Sequence, residues 1–148
     1  RSGVTRRGDG VYTTFHAALV EALADLVLGA RLSPANEAGP QPDPFLCFQR
    51  RSPGDVVAGS TKVAGSAQRR RRGAVLQHGS ILLARSQRAP ELAGIQDLLA
   101  RPVAPQDLRA LWLPRLATAF EMTWQEAALT PAQRLQAQEL ASQRYDKG

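Results

Sequence analysis

Two side chains in this sequence have the types needed for covalent chemistry: the single cysteine, Cys47, and Lys62, the one lysine away from the chain end. A cysteine reacts as its thiolate, which a nearby positive charge stabilises. The sequence between them predicts strand, turn, strand and turn, a path that permits the ammonium to lie beside the thiol. Burial of Cys47 as a small hydrophobic residue is the alternative that the pattern leaves open.

Small residues follow Lys62 as far as Ala67. Their short side chains let a substrate approach the backbone, and the N–H groups of Gly65, Ser66 and Ala67 can donate to a carbonyl or phosphoryl oxygen. The GxxxxGK[ST] pattern of a P-loop is absent. A small-residue turn in a hairpin is the alternative interpretation.

Four consecutive arginines at 69–72 contribute to a net charge of +6. A solvated hairpin tip is one interpretation, and docking of an acidic carrier protein or of RNA is the other, because positive charge steers anionic partners. No aromatic residue lies among these arginines, so base stacking is not indicated and a nucleic-acid partner is not favoured.

The composition excludes several classes of protein. One cysteine cannot form an internal disulfide, and two separated histidines do not have zinc-ligand spacing, so we expect no metal site. No apolar run approaches the roughly 18 residues of a membrane span. We expect a cytoplasmic protein without a membrane partner and, from the missing initiator Met, an N-terminally incomplete chain.

The order of predicted elements is typical of one α+β domain with an antiparallel sheet. An amphipathic helix carries His16 beside its apolar stripe, where a surface or core-edge role is favoured over a catalytic one. Gly29 is expected to stop that helix, and Gly79 to mark a bulge or a close backbone approach.

The predicted helices cover 11–28, 91–99, 105–120 and a segment from 131. The predicted strands cover 30–33, 45–50, 55–58, a segment from 62, and 74–84.

The helix from 131 has the clearest local signal. Thr130, Pro131 and Gln133 have the types and spacing of a capping box with proline at the first helical position. Leu135, Leu140 and Tyr145 are expected to anchor this helix on the domain.

The segment around Lys62 resembles the lipoate-protein ligase A and octanoyltransferase family. The resemblance rests on Cys47-Phe48, Asp55-Val56-Val57, Gly59, the run KVAGSAQ at 62–68 and the run LQHGSILL at 76–83. It implies the fold shared with biotin protein ligases, a class II synthetase-like α+β domain with a mixed, mostly antiparallel sheet flanked by helices. The family's more N-terminal half, with its R-R-x-x-G-G-G motif, has no counterpart here, so 1–148 is expected to be a partial domain, with the acyl site in 11–85 and a helical part in 86–148.

The resemblance also implies a role for each matched residue. Lys62 corresponds to the lysine that contacts the acyl carbonyl or acyl-adenylate, and Cys47 to the acyl-accepting nucleophile of the octanoyltransferase branch. The implied substrate-binding residues are Asp55, Gly59, Val63, Ala64, Gly65, Ser66, Ala67, Gln68, His78 and Gly79.

The function implied is transfer of octanoyl from octanoyl-acyl carrier protein to the lysine of a lipoyl domain, either the glycine cleavage H protein or a dehydrogenase E2 subunit. This reaction needs no cofactor. An ATP-dependent lipoate ligase, which would use ATP and Mg²⁺, is the alternative within the family. A non-catalytic basic module that binds RNA or an acidic protein through the arginines at 69–72 is the alternative from another class.

Overall fold

The computed structural model describes residues 9–35 and 48–144. These residues form the α+β fold that the sequence predicts. A four-stranded antiparallel sheet has the order β1-β2-β3-β4, and helices flank it. The elements of the described residues are α1 (Asp9–Asp25), β1 (Arg31–Leu32), β2 (Val56–Ala58), β3 (Thr61–Arg71), β4 (Ala74–Ile81), α2 (Ile95–Leu99), α3 (Pro105–Ala119) and α4 (Pro131–Arg144).

The register of β3 changes once, where it pairs with β2. Val57 lies opposite Lys62 and Val56 lies opposite Ala64, so Val63 is an extra residue in β3. Such a bulge bends its strand and redirects the neighbouring side chains. The bulge therefore decides where the Lys62 side chain points.

The β3–β4 pairing continues without a shift from Ala64 opposite Ile81 to Arg71 opposite Ala74. The bulge expected at Gly79 is therefore absent, and the other expectation, a close backbone approach, is confirmed. A β-carbon at Gly79 would lie 2.6 Å from Ser66 Cβ and would also contact the carbonyl oxygen of Gly65.

The core lies between one face of the sheet and the helices α1 and α3. Leu19 and Leu23 of α1 are buried with Val63 of the sheet and Leu108 of α3. Each fully buried side chain of this size contributes about 1.5–3 kcal/mol. This packing fixes α1, and with it His16, over the sheet strands.

The first predicted helix is confirmed, but it ends at Asp25 rather than at Gly29. Val27 takes the left-handed conformation there (φ 64°), and the Leu28 N–H bonds to the carbonyl of Leu23. The predicted strand 45–50 is wrong over 48–50, which form a turn and a bend, while 45–47 lie outside the described residues. The arginines at 69–72 do lie at the exposed tip of the β3–β4 hairpin.

The later helices are confirmed with changed boundaries. α2 begins at Ile95 instead of residue 91, because the Asp97 carboxylate accepts the N–H of Gly94 (2.7 Å) and so caps the helix there. Helix α3 runs unbroken through Pro114.

No helix among the described residues is long and apolar enough to cross a membrane.

The capping box of α4 is confirmed by both reciprocal bonds. The Thr130 N–H donates to Gln133 Oε1 (2.9 Å), and the Gln133 N–H donates to Thr130 Oγ1 (3.3 Å). The expected anchoring is wrong, since Leu135 is 61% exposed and Leu140 is 43% exposed. The apolar residues of α4 have no covering surface within the described part of the chain, and Tyr145 lies outside that part.

Candidate active site

A buried ion pair forms the centre of the candidate site. Lys62 Nζ lies 2.8 Å from Asp55 Oδ2, and their side chains are only 10% and 2% exposed. The ammonium also donates to the carbonyl oxygen of Arg50 at 2.9 Å. A pair that is so shielded from water is screened little by salt.

Gly65 makes room for this pair. A β-carbon at position 65 would lie 2.7 Å from Lys62 Cε, 2.9 Å from Lys62 Nζ and 2.9 Å from Asp55 Oδ1. These separations are far below van der Waals contact, so any side chain at Gly65 would push the lysine away from the carboxylate. The bulge at Val63 and the absent side chain at Gly65 together place the ammonium.

Two clefts meet at Lys62. One cleft of about 370 Å³ runs past Phe48, Thr61 and Leu92, and the other, of about 320 Å³, runs along the β3–β4 hairpin past His78. Phe48 and Lys62 line both clefts, and Lys62 Nζ lies 5.3 Å from the centre of the Phe48 ring. The ammonium is thus a positive charge at the wall of an open groove, where it can stabilise negative charge on a bound molecule.

Asp55 is held by two further donors. Tyr12 Oη donates to Asp55 Oδ1 at 3.1 Å, and the Ser52 N–H donates to Oδ2 at 2.7 Å. Burial and the adjacent Asp55 carboxylate raise the pKa of Tyr12 to about 12, because both disfavour a phenolate. Tyr12 therefore stays a hydrogen-bond donor to the carboxylate at any physiological pH.

His16 lies beside the same group of side chains, so the surface position that the sequence allowed is wrong, and the side chain is buried at the edge of the core. It is 3% exposed, its Nδ1 lies 2.6 Å from the carbonyl oxygen of Gly54, and its Nε2 lies 3.0 Å from Ser66 Oγ. Burial lowers the pKa of His16 and is the largest effect on it. The sequence feature that could have indicated this placement is the position of His16 four residues after Tyr12. This spacing puts both rings on one face of α1, with their centres 4.4 Å apart.

Several of the predicted site residues come together around Lys62. The hairpin cleft is lined by five of them besides Lys62 itself: Gly65, Ser66, Ala67, His78 and Gly79. Asp55 joins them through its ion pair with the lysine. His78 is exposed and lies opposite Ala67 in the β3–β4 ladder.

The remaining predicted site residues lie elsewhere. Val63 is fully buried in the core, and Ala64 is buried where it borders a cavity under α1. Gly59 forms the β2–β3 turn with φ 57°, a conformation that favours glycine. Gln68 donates to the side-chain carbonyl of Gln77, and Cys47 lies outside the described residues.

Side chains that could hold a metal ion do not cluster in the described ranges 9–35 and 48–144. No group of three or more His, Cys, Asp or Glu side chains with the proximity needed to bind an ion occurs there.

The fold and site define an α+β domain with a buried lysine at the wall of an antiparallel hairpin cleft. The chain belongs to the lipoyl protein ligase A/B catalytic domain family, whose model matches residues 3–107.

Among similar curated proteins, octanoyltransferase LipM of Symbiobacterium thermophilum is 31% identical over 90% of this chain and 58% of its own length. Octanoyltransferase LipM of Kyrpidia tusciae is 41% identical over 49% of this chain and 28% of its own length. The chain thus spans less than two thirds of these relatives.

Solved structures share the fold. A T. acidophilum protein with bound lipoic acid superimposes with a TM-score of 0.74 and 23% identity, over 99% of this chain and 59% of that one. A lipoate-protein ligase A bound with ATP gives a TM-score of 0.71 and 21% identity, over 100% of this chain and 60% of that one. The α+β ligase-like fold expected from the sequence is confirmed.

Proposed function

We propose that this chain carries the acyl-transfer site of an octanoyltransferase, which moves octanoyl from octanoyl-acyl carrier protein to the lysine of a lipoyl domain through a thioester on Cys47. Family membership and the activity named for the LipM relatives support this proposal. The observation that carries it is the Lys62 ammonium, held by Asp55 at the meeting point of two clefts.

The first half of the reaction would load the enzyme. The Cys47 thiolate attacks the thioester carbonyl, the carrier thiolate leaves, and the octanoyl group becomes a thioester on Cys47. Lys62 places positive charge where the carbonyl oxygen becomes negative in the transition state. Cys47 is joined by a peptide bond to Phe48, whose ring contacts that ammonium, and this supports action of the two side chains on one carbonyl.

The second half would unload the enzyme. The amine of the acceptor lysine attacks the thioester, an amide forms, and the Cys47 thiolate leaves while the amine releases a proton. A similar solved structure, with a TM-score of 0.67, is that of a bi-partite lipoate protein ligase and its E2 lipoyl domain from Thermoplasma acidophilum. A lipoyl domain of this kind, or the glycine cleavage H protein, is the acceptor that we propose here.

Mass spectrometry tests the covalent step. The full-length protein is incubated with octanoyl-acyl carrier protein, digested and searched for octanoyl on the peptide that contains Cys47. We expect a thioester that neutral hydroxylamine removes, and none in Cys47→Ala. Transfer by Cys47→Ala to a lipoyl domain at the wild-type rate would show that the cysteine is not the acyl acceptor.

The ATP-dependent lipoate ligase is the second candidate, because similar structures include a ligase bound with ATP. A ligase activates a free acid as an adenylate and needs ATP and Mg²⁺ but no thiol. Acyl-dependent exchange of pyrophosphate into ATP by the full-length protein would favour the ligase, and its absence together with the thioester would favour the transferase.

A further inference from the structure

His16 is a buried base whose two ring nitrogens both have defined partners. Its Nδ1 lies 2.6 Å from the carbonyl oxygen of Gly54, which can only accept, so Nδ1 carries the proton. Its Nε2 is therefore the bare nitrogen, and the Ser66 hydroxyl, 3.0 Å away, donates to it. The hydrogen-bond network thus assigns the tautomer of a neutral His16.

The Ser66 hydroxyl is held from the other side as well. Gln77 Nε2 donates to Ser66 Oγ at 3.1 Å, and Gln68 Nε2 donates to Gln77 Oε1 at 2.8 Å. The Ser66 hydroxyl thus lies between His16 and Gln77, and Tyr12 also interacts with Ser66; a serine oxygen has two lone pairs, so it can accept from Gln77 and from one further donor. Ser66 thus supplies a hydroxyl, His16 a base, and the Gly54 carbonyl the group that orients the base.

Ser66 connects two spaces in the molecule. It lines the cavity of about 210 Å³ that also contains His16, and it lines the hairpin cleft that contains Lys62. A proton taken up at Ser66 therefore has a direct path to the buried imidazole.

Lys62 already acts as a cation, because it forms an ion pair with Asp55. The acceptor amine loses a proton in the second half of the reaction, and Cys47 must remain the thiolate that the next loading step uses, so the proton needs another destination. We propose that Ser66 and His16 form the proton relay that receives it; this inference rests on the acyl-transfer function proposed above. Ser66 Oγ accepts the amine proton as its own proton moves to His16 Nε2, and the amine nitrogen bonds to the acyl carbon.

The charged and titratable groups that face His16 are Tyr12 on its own helix, Asp55 before β2, and Lys62 on β3. Burial lowers the pKa of His16, so the imidazole is neutral at neutral pH. Its capacity to accept a proton comes from the bare Nε2 that faces the Ser66 hydroxyl. Acylation of Cys47 by a thioester donor exchanges one thiolate for another and makes no use of the relay. The two halves of the reaction therefore respond differently to the loss of His16.

His16→Gln in the full-length protein tests the relay. Glutamine can form hydrogen bonds but does not titrate in this range. Rapid-mixing mass spectrometry measures the two halves separately, first loading of Cys47 from octanoyl-acyl carrier protein and then transfer to a lipoyl domain. We expect loading within about threefold of wild type and transfer slowed about 100-fold. The fall in wild-type transfer rate as His16 is protonated at low pH should disappear in the variant.

Ser66→Ala and Ser66→Thr form a matched pair that keeps the test valid if His16→Gln does not fold. The alanine variant should lose transfer like His16→Gln, and the threonine variant, which keeps the hydroxyl, should regain it. Equal slowing of loading and transfer would overturn the relay. So would a fall in transfer rate at low pH that persists in His16→Gln but disappears in His78→Gln. Failure of the wild-type protein to form any thioester would instead refute the proposed function.

Discussion

Replacing Asp55 by Asn removes the charge beside Lys62 while keeping the shape of the side chain. The Lys62 side chain is 10% exposed, so in this variant its ammonium would remain largely buried without a carboxylate. Removing one partner of a buried ion pair costs about 3–5 kcal/mol, and we expect about 3 because part of the lysine reaches water.

Lys62→Met leaves the Asp55 carboxylate buried without its cation. Asp55 still accepts hydrogen bonds from the Tyr12 hydroxyl and the Ser52 N–H. Hydrogen bonds to a charged group contribute about 1.5–3 kcal/mol each, so the remaining two limit the loss to about 2 kcal/mol. The double variant has no uncompensated charge and should be no less stable than Asp55→Asn alone. The coupling free energy of the pair is then about 2–3 kcal/mol.

Urea unfolding of the four proteins at pH 7 gives the free energies for this cycle. The matched control is the pair of Arg115 and Asp25, which lie 2.7 Å apart with side chains 28% and 45% exposed. An exposed pair should show a coupling below about 1 kcal/mol in the corresponding cycle. Equal coupling in the two cycles would refute the argument that burial makes the Asp55–Lys62 pair strong.

Three further predictions concern His16, Tyr12 and Gly79. Because burial lowers the folded-state pKa of His16, the unfolded chain binds more protons between that pKa and the ordinary value of 6.5. The free energy of unfolding should therefore decrease as the pH is lowered through this window, by at most about 1.4 kcal/mol per pH unit, and His16→Gln should remove this slope in urea titrations. Tyr12 should ionise at about pH 12 in an ultraviolet titration, and Tyr12→Phe should remove that step, whereas a normal tyrosine titration near pH 10 would contradict its burial beside the Asp55 carboxylate. Gly79→Ala should cost at least about 1–3 kcal/mol because its methyl group meets the neighbouring strand, while Gly29→Ala, with no atom within 4 Å, should cost far less in the same unfolding assay.

Patterns of a few neighbouring residues correctly predicted the strands and helix ends that such short-range features determine. The alternation of turn residues and apolar residues predicted β2 and the β3–β4 hairpin, and the capping residues predicted the start of α4. The contacts of Leu135 could not be predicted in this way, because an apolar stripe does not reveal whether another surface covers it.

The site depends on features that are distant in sequence. The resemblance identified Asp55 and Lys62 as important, but their ion pair depends on the extra residue in β3, which only the pairing with β2 creates. His16 and Ser66 are 50 residues apart, and their contact depends on how α1 packs on the sheet. No local pattern contains that information.

The rate of thioester formation on Cys47 in Lys62→Met is the most direct test of the central claim that the Lys62 ammonium stabilises the acyl oxyanion. The full-length variant and wild type are mixed with octanoyl-acyl carrier protein and quenched at intervals for intact mass, with Arg134→Met on the exposed face of α4 as the charge-loss control. Loss of one oxyanion-stabilising group typically slows a reaction about 100- to 1,000-fold, so we expect a decrease of that size in Lys62→Met and none in the control. Loading of Lys62→Met at the wild-type rate would contradict the claim.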